Sequence, residues 1–144
     1  MDKVLYAICL SVLLAACEVK PVEINYGVDA CHFCKMTIVD KQHAAQVVTV
    51  KGKAFKYDAI ECMMNDLAAW DRPTVQFYLA NDYTKPGQLI DAKEASFLIS
   101  ESIPSPMGEF LSAFGNEAER NKTLDSVGGE ALSWEELRTE FSKN

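Results

Sequence analysis

The chain has 144 residues, 49% of them hydrophobic, and a formal charge of -7. That apolar share fills the core of one compact domain or of two small fused units, and it argues against a disordered chain. The acidic balance argues against a nucleic-acid partner and against direct electrostatic adhesion to anionic lipid.

The N-terminus reads as a sorting signal. Asp2-Lys3 is followed by an apolar run from Val4 to Ala16, broken only by Ser11. This run is too short to span a bilayer as a helix. Leu14-Ala15-Ala16-Cys17 resembles a bacterial lipobox, in which the cysteine takes lipid on its sulfur and becomes residue one after cleavage. We therefore expect residues 1–16 to be a lipoprotein signal peptide, 17–30 a lipidated tether and 31–144 a folded domain. The body is expected outside the cytoplasm, on the periplasmic side of the outer membrane. Cys9 would leave with the signal, and with Cys17 acylated the remaining Cys31, Cys34 and Cys62 cannot all pair. At least one thiol is then free or metal-bound.

Glu18 to Ala30 shows no sustained period and contains Pro21 and Gly27, which suits a tether. Residues 44–50 are rich in β-formers, Lys51-Gly52-Lys53 is a turn, and Ala54-Phe55-Lys56-Tyr57 alternates, so a hairpin is predicted. Asp58 is predicted to cap a helix over 59–70, where Ile60, Met63, Met64 and Leu67 share a face and Arg72-Pro73 supplies the stop. A strand follows over 74–79. The second half echoes that order more weakly: strands at 88–92, 96–100 and 109–114, a proline-marked loop at 103–107, a polar surface helix over 116–127 stopped by Gly128-Gly129, and a short strand at Ala131-Leu132. Ser133 and Glu136 have capping-box spacing ahead of a terminal helix. The fold class is α+β, built as two tandem β-β-α-β-type units. The aromatic residues Phe55, Tyr57, Phe77, Tyr78, Phe97, Phe110 and Phe114 fall in strand segments and are expected to pack the core.

Cys31-His32-Phe33-Cys34-Lys35-Met36 gathers two thiols, an imidazole and a thioether in six residues. Polarizable sulfur donors favour Cu(I), and the methionine separates this segment from an ordinary zinc motif. In an extended segment Cys34 and Met36 would point to the same side. A third soft donor must come from elsewhere: Met107, between Pro106 and Gly108, is the leading choice, with Met63 and Met64 as alternatives. No acid/base pair or triad stands out, so no enzymatic turnover is expected.

Taken with Tyr57-Asp58-Ala59-Ile60-x-Cys62-Met63 and Pro106-Met107-Gly108, the lipobox and Cys31-x-x-Cys34-x-Met36 carry a family resemblance. The chain resembles the NosL-like copper chaperones, accessory lipoproteins of nitrous-oxide reductase. The resemblance implies tandem β-β-α-β units similar to the organomercurial lyase core, Cu(I) as cargo, and metal-binding residues Cys34, Met36 and Met107, with Cys31, Cys62 and His32 as further candidates. It also implies delivery to the assembly machinery of nitrous-oxide reductase, a membrane transporter complex and the reductase itself. The chain departs from the family at Lys35, where glycine is common. A cation there opposes a neighbouring cuprous ion unless its side chain points to solvent.

Three other readings stand beside this one. Cys31-x-x-Cys34 has the spacing of a thiol-disulfide oxidoreductase, though no helix clearly starts at Cys34. Cys31, Cys34 and Cys62 with His32 or His43 would make a zinc site. A structural lipoprotein stapled by a Cys31–Cys34 disulfide would bind no metal at all.

Overall fold

The computed structural model describes residues 18–70 and 74–143. The expected signal peptide, the lipidation candidate Cys17 and the Arg72-Pro73 stop lie outside those residues. Among the described residues, seven strands and three helices follow in the order β1 (Ala45–Thr49), β2 (Ala54–Tyr57), α1 (Ile60–Ala68), β3 (Val75–Asn81), β4 (Leu89–Asp91), β5 (Ser96–Ile99), β6 (Leu111–Phe114), α2 (Glu117–Val127), β7 (Glu130–Leu132) and α3 (Trp134–Phe141).

Two antiparallel sheets result, ordered β2-β1-β3-β4 and β6-β5-β7. Each places the first strand of a unit between its hairpin partner and the strand that follows the helix, so the β-β-α-β order recurs with the same pairing. The first unit adds β4 at its edge. The sheets meet where Asp82 bridges Ala113 and the Tyr83 amide donates to the Ala113 carbonyl at 2.8 Å. One apolar core spans both units: Val47, Tyr57, Ile60, Met63 and Met64 from the first pack with Phe97, Leu111, Trp134 and Leu137 from the second. Each large side chain buried there contributes roughly 1.5–3 kcal/mol.

The helices differ in how they are held. On α1, Ile60 to Met64 are buried without interruption, because the helix is enclosed by β1, β2, β6 and α3. α3 buries only Trp134, Leu137 and Phe141, a single stripe, and its Ser133–Glu136 capping box is formed as predicted. α2 buries no residue and is capped by the Asn116 side chain, which accepts from the Glu119 amide. No helix among the described residues is long and apolar enough to cross a membrane.

The stretch read from sequence as a tether is fastened to the body from Val22 onward. The Val22 amide donates to Gln46 Oε1 at 2.8 Å, and Gln46 Nε2 returns a bond to the Val22 carbonyl at 2.6 Å. Ile24 is buried, and the Tyr26 hydroxyl accepts from Asn81 at 2.6 Å. The chain therefore enters the core before Cys31 is reached.

Candidate metal centre

The cysteine segment is a tight hairpin laid along the edge of β2. Ala30 bridges Thr37, the Cys31 amide donates to the Met36 carbonyl at 2.8 Å, and the Lys35 amide donates to the Cys31 carbonyl at 3.1 Å. The His32 amide reaches the Lys56 carbonyl at 2.8 Å, so the loop takes up a hydrogen-bonding position on an otherwise open strand edge. Lys56 in turn pairs with Asp29 at 2.6 Å, and its ammonium and the Asn25 amide hold that carboxyl below the usual range. The chain turns at Lys35, whose φ is 67°. Cys34 and Met36 are thus not neighbours in an extended strand, and the alternation expected to align their side chains is broken by a left-handed residue between them.

The fold brings this loop against the start of α1. Cys31, Cys34 and Cys62 are free thiols. Their sulfurs and a carboxylate oxygen of Asp58 all lie within 4.8 Å of one another. Donors on tetrahedral directions around one cation at ~2.3 Å would sit about 3.8 Å apart. Small side-chain adjustments therefore close these four onto a single ion. Cys31, Cys62 and Asp58 are 1%, 0% and 2% exposed, whereas Cys34 is only partly buried. The cluster has one open side, and Cys34 is on it.

Asp58 corrects the sequence reading. It was expected to cap α1, but the N-cap is Ala59 and makes no side-chain cap bond. One residue further back, the Asp58 carboxylate instead faces the thiols, and Cys34 Sγ donates to its Oδ1 at 3.4 Å. Its Oδ2 is buried with no hydrogen-bond partner among the described residues. A buried carboxylate oxygen left unsatisfied costs on the order of 1–3 kcal/mol. Coordinating a cation would recover that loss.

Protonation follows from the same geometry. The Cys62 thiol and the amides of Cys34 and Asp58 donate to Cys31, and against the cost of burial they pull its pKa down to about 6. Burial, helped by donation toward Cys31 and Asp58 and by the Cys31 charge, pushes Cys34 up to about 11, although the Met36 amide partly offsets this. Cys62 lies in the first turn of α1, where a helix N-terminus ordinarily favours a thiolate. Its pKa is raised nonetheless, because it shares its proton with Cys31 and faces Asp58. One thiolate forms readily, and the others need a cation to replace their protons.

The remaining sequence candidates are placed as follows. Met36 and Met107 are 49% and 38% exposed, unusual positions for large apolar side chains. Met107 lies in a loop fastened to α1, where Ser105 Oγ donates to the Glu61 carboxylate and Asn65 Nδ2 to Glu109 Oε1 at 3.2 Å. His32 sets its ring edge-on to Phe55, with centroids 4.7 Å apart, and is not among the four converging donors. His43 is buried between Asp40 at 3.1 Å and Ser112 at 3.1 Å. The histidine expected in a zinc site is thus replaced by Asp58. The Lys35 ammonium bonds the His32 carbonyl on the exposed tip of the loop. Met63 and Met64 are core residues. No helix among the described residues begins at Cys34, as a redox-active Cys-x-x-Cys would require, and residues 32–34 form a turn.

The NosL family model matches residues 21–142. Among solved structures, the crystal structure of the copper chaperone NosL from Shewanella denitrificans superposes with a TM-score of 0.72 at 19% identity, covering 83% of this chain and 96% of that one. No curated protein sequence matches the chain.

Proposed function

The chain belongs to the NosL family, and on that premise we propose that it is a copper chaperone that carries Cu(I) outside the cytoplasm. The observation that carries this reading is the convergence of three thiols and a carboxylate, buried except at Cys34. Thiolates are soft ligands and select Cu(I) over hard divalent ions. In this proposal Cys34 is the ligand that meets solvent, Met36 and Met107 supply thioethers from the surface, and Cys31 and Cys62 lie behind. His32 supports the loop and does not bind. Cu(I) accepts two or three sulfur ligands, so an acceptor can add a ligand before the donor lets go. Transfer then proceeds without releasing the ion into water, and no catalytic turnover is required.

The recipient we propose is the maturation machinery of nitrous-oxide reductase, both its membrane transporter complex and the enzyme. Lipid on Cys17 would hold the body to the periplasmic face of the outer membrane. The repeated β-β-α-β unit is the arrangement through which we would also relate the chain to the organomercurial lyase core. Asp58 supports one second reading: three sulfurs and an oxygen also suit tetrahedral Zn(II).

Anaerobic titration with Cu(I) against a competing chelator separates these readings. Cys34→Ser is expected to weaken binding by at least ~10-fold, with smaller losses for Met36→Leu and Met107→Leu. Preference for Zn(II) over Cu(I), or affinity indifferent to all three substitutions, would overturn the proposal.

A further inference from the structure

The donors described above do not form one shell. Three of the four clustered groups are sealed in the apolar core, and Cys34 alone reaches the surface. Both thioethers lie outside, Met36 two residues along the same exposed loop, with its amide directed at the Cys34 sulfur. An ion seated among Cys31, Cys62 and Asp58 presents no free face to a partner except through Cys34. An ion held by Cys34 and thioether presents several.

Resting on the copper reading, we propose that Cu(I) occupies two overlapping positions that share Cys34: a closed inner one with Cys31, Cys62 and Asp58, and an open outer one with Met36. The inner position retains the ion. Its sulfurs can carry charge, and the buried Asp58 Oδ2, which has no hydrogen-bond partner, gains one by facing a cation. The outer position hands the ion on. A neutral thioether binds Cu(I) more weakly than a thiolate and gives way more easily to an incoming ligand. Movement between the two makes a copper–sulfur bond to Met36 as the bonds to Cys31, Cys62 and Asp58 break. Copper remains Cu(I), Cys34 remains bound throughout, and the vacated thiolates take up protons from solvent.

This arrangement also gives the loop fold a purpose. Because the Cys31 amide is tied to the Met36 carbonyl at 2.8 Å, the inner and outer donors are joined by a rigid hairpin whose two ends differ in depth. Cys62 comes from α1, so the inner position exists only when the helix and the hairpin are docked.

The test uses the full-length chain loaded anaerobically with Cu(I), with two readouts. X-ray absorption counts the sulfur ligands, and stopped-flow mixing with a strong Cu(I) chelator measures transfer. The wild-type chain should show three sulfurs. Cys62→Ala should show two, with affinity lowered at least ~10-fold and transfer accelerated, and Cys31→Ala should behave alike. Met36→Leu should slow transfer by about tenfold, by more than it changes affinity. Circular dichroism separates a misfolded variant from an informative one, and using two inner cysteines keeps the test open if one of them fails to fold. An unchanged sulfur count and affinity in both inner variants would overturn the inner position. Transfer unaffected by Met36→Leu would overturn the outer one. A wild-type chain that leaves all Cu(I) with the chelator would instead remove the chaperone reading on which both depend.

Discussion

Lys35 sits where an L-residue is strained and glycine is not. Its φ of 67° places it in the left-handed region, which costs a residue with a Cβ roughly 1–2 kcal/mol. Glycine is the residue that would turn this hairpin without penalty. The lysine recovers part of the cost by bonding its ammonium to the His32 carbonyl, and in doing so it keeps its charge at the loop tip. Lys35→Gly is expected to leave the chain as stable or up to ~1 kcal/mol more stable in urea denaturation, and Lys35→Val to destabilise it by more than that. If Lys35→Val proved more stable than the parent, the left-handed turn would be misassigned. Nothing in composition distinguishes a lysine in this conformation from one in a strand, and the alternation argument for Cys34 and Met36 failed for that reason. Asp58 was hidden differently. A carboxylate just before an apolar helix reads as a cap, and only the three-dimensional approach of Cys31 and Cys34 shows that it faces sulfur instead.

At the scale of elements, Glu61 links the helix that carries Cys62 to the loop that carries Met107. The carboxylate is buried and takes bonds from Ser105 Oγ and from the Leu111 amide at 3.4 Å, while Ser105 Oγ also receives the Phe110 amide at 2.9 Å. Burial raises the pKa of Glu61, with the Ser105 bond opposing. The group therefore adds stability in full below the ordinary carboxylate range, and that contribution is lost as pH rises through its elevated pKa. Glu61→Gln retains an acceptor for Ser105 and Leu111 and should flatten this part of the stability profile, so the variant gains on the wild type as pH increases. Glu61→Ala leaves Ser105 and Leu111 without their acceptor and should cost about 1–3 kcal/mol. Parallel pH profiles for Glu61→Gln and the parent would show that Glu61 ionises without penalty.

The strands and helices themselves were legible in the sequence, because alternation, turn glycines and caps act locally. The hairpin at 45–57, the Asn116-capped α2 and the Ser133 capping box all form where those signals stand. Their partners were not legible. Which helix meets which loop depends on sequence separations of dozens of residues, and the Glu61–Ser105 bond spans 44 positions.

For the whole molecule, the decisive feature is that two similar units share one core. Trp134 of α3 stacks against Tyr78 of β3 at 5.2 Å and against Phe97 of β5 at 6.2 Å, so the C-terminal helix joins both sheets. Buried His43 adds a polar link, bonding Asp40 in the loop before β1 and Ser112 of β6. Apart from this shared core the second unit has only a small cluster of its own, Leu98, Ile103 and Phe114, with Leu124 and Val127 of α2 packed against it. Thermal unfolding should accordingly be a single transition, with circular dichroism and tryptophan fluorescence coinciding. Two separated transitions would mean that the units melt independently. A Leu137→Ala truncation in this shared interior should lower stability by about 2–5 kcal/mol without splitting the transition.

The grip of Gln46 on Val22 sets a length. Its side-chain amide holds both the N–H and the carbonyl of that residue, so chain free to pay out toward Cys17 ends there. Five peptide steps separate the two positions, and a fully extended chain covers at most ~3.6 Å per step, or about 18 Å in all. With a lipid on Cys17, the body could not roam the space between membranes. It would ride within one short leash of the headgroups, and a recipient would have to come to the membrane surface to meet it.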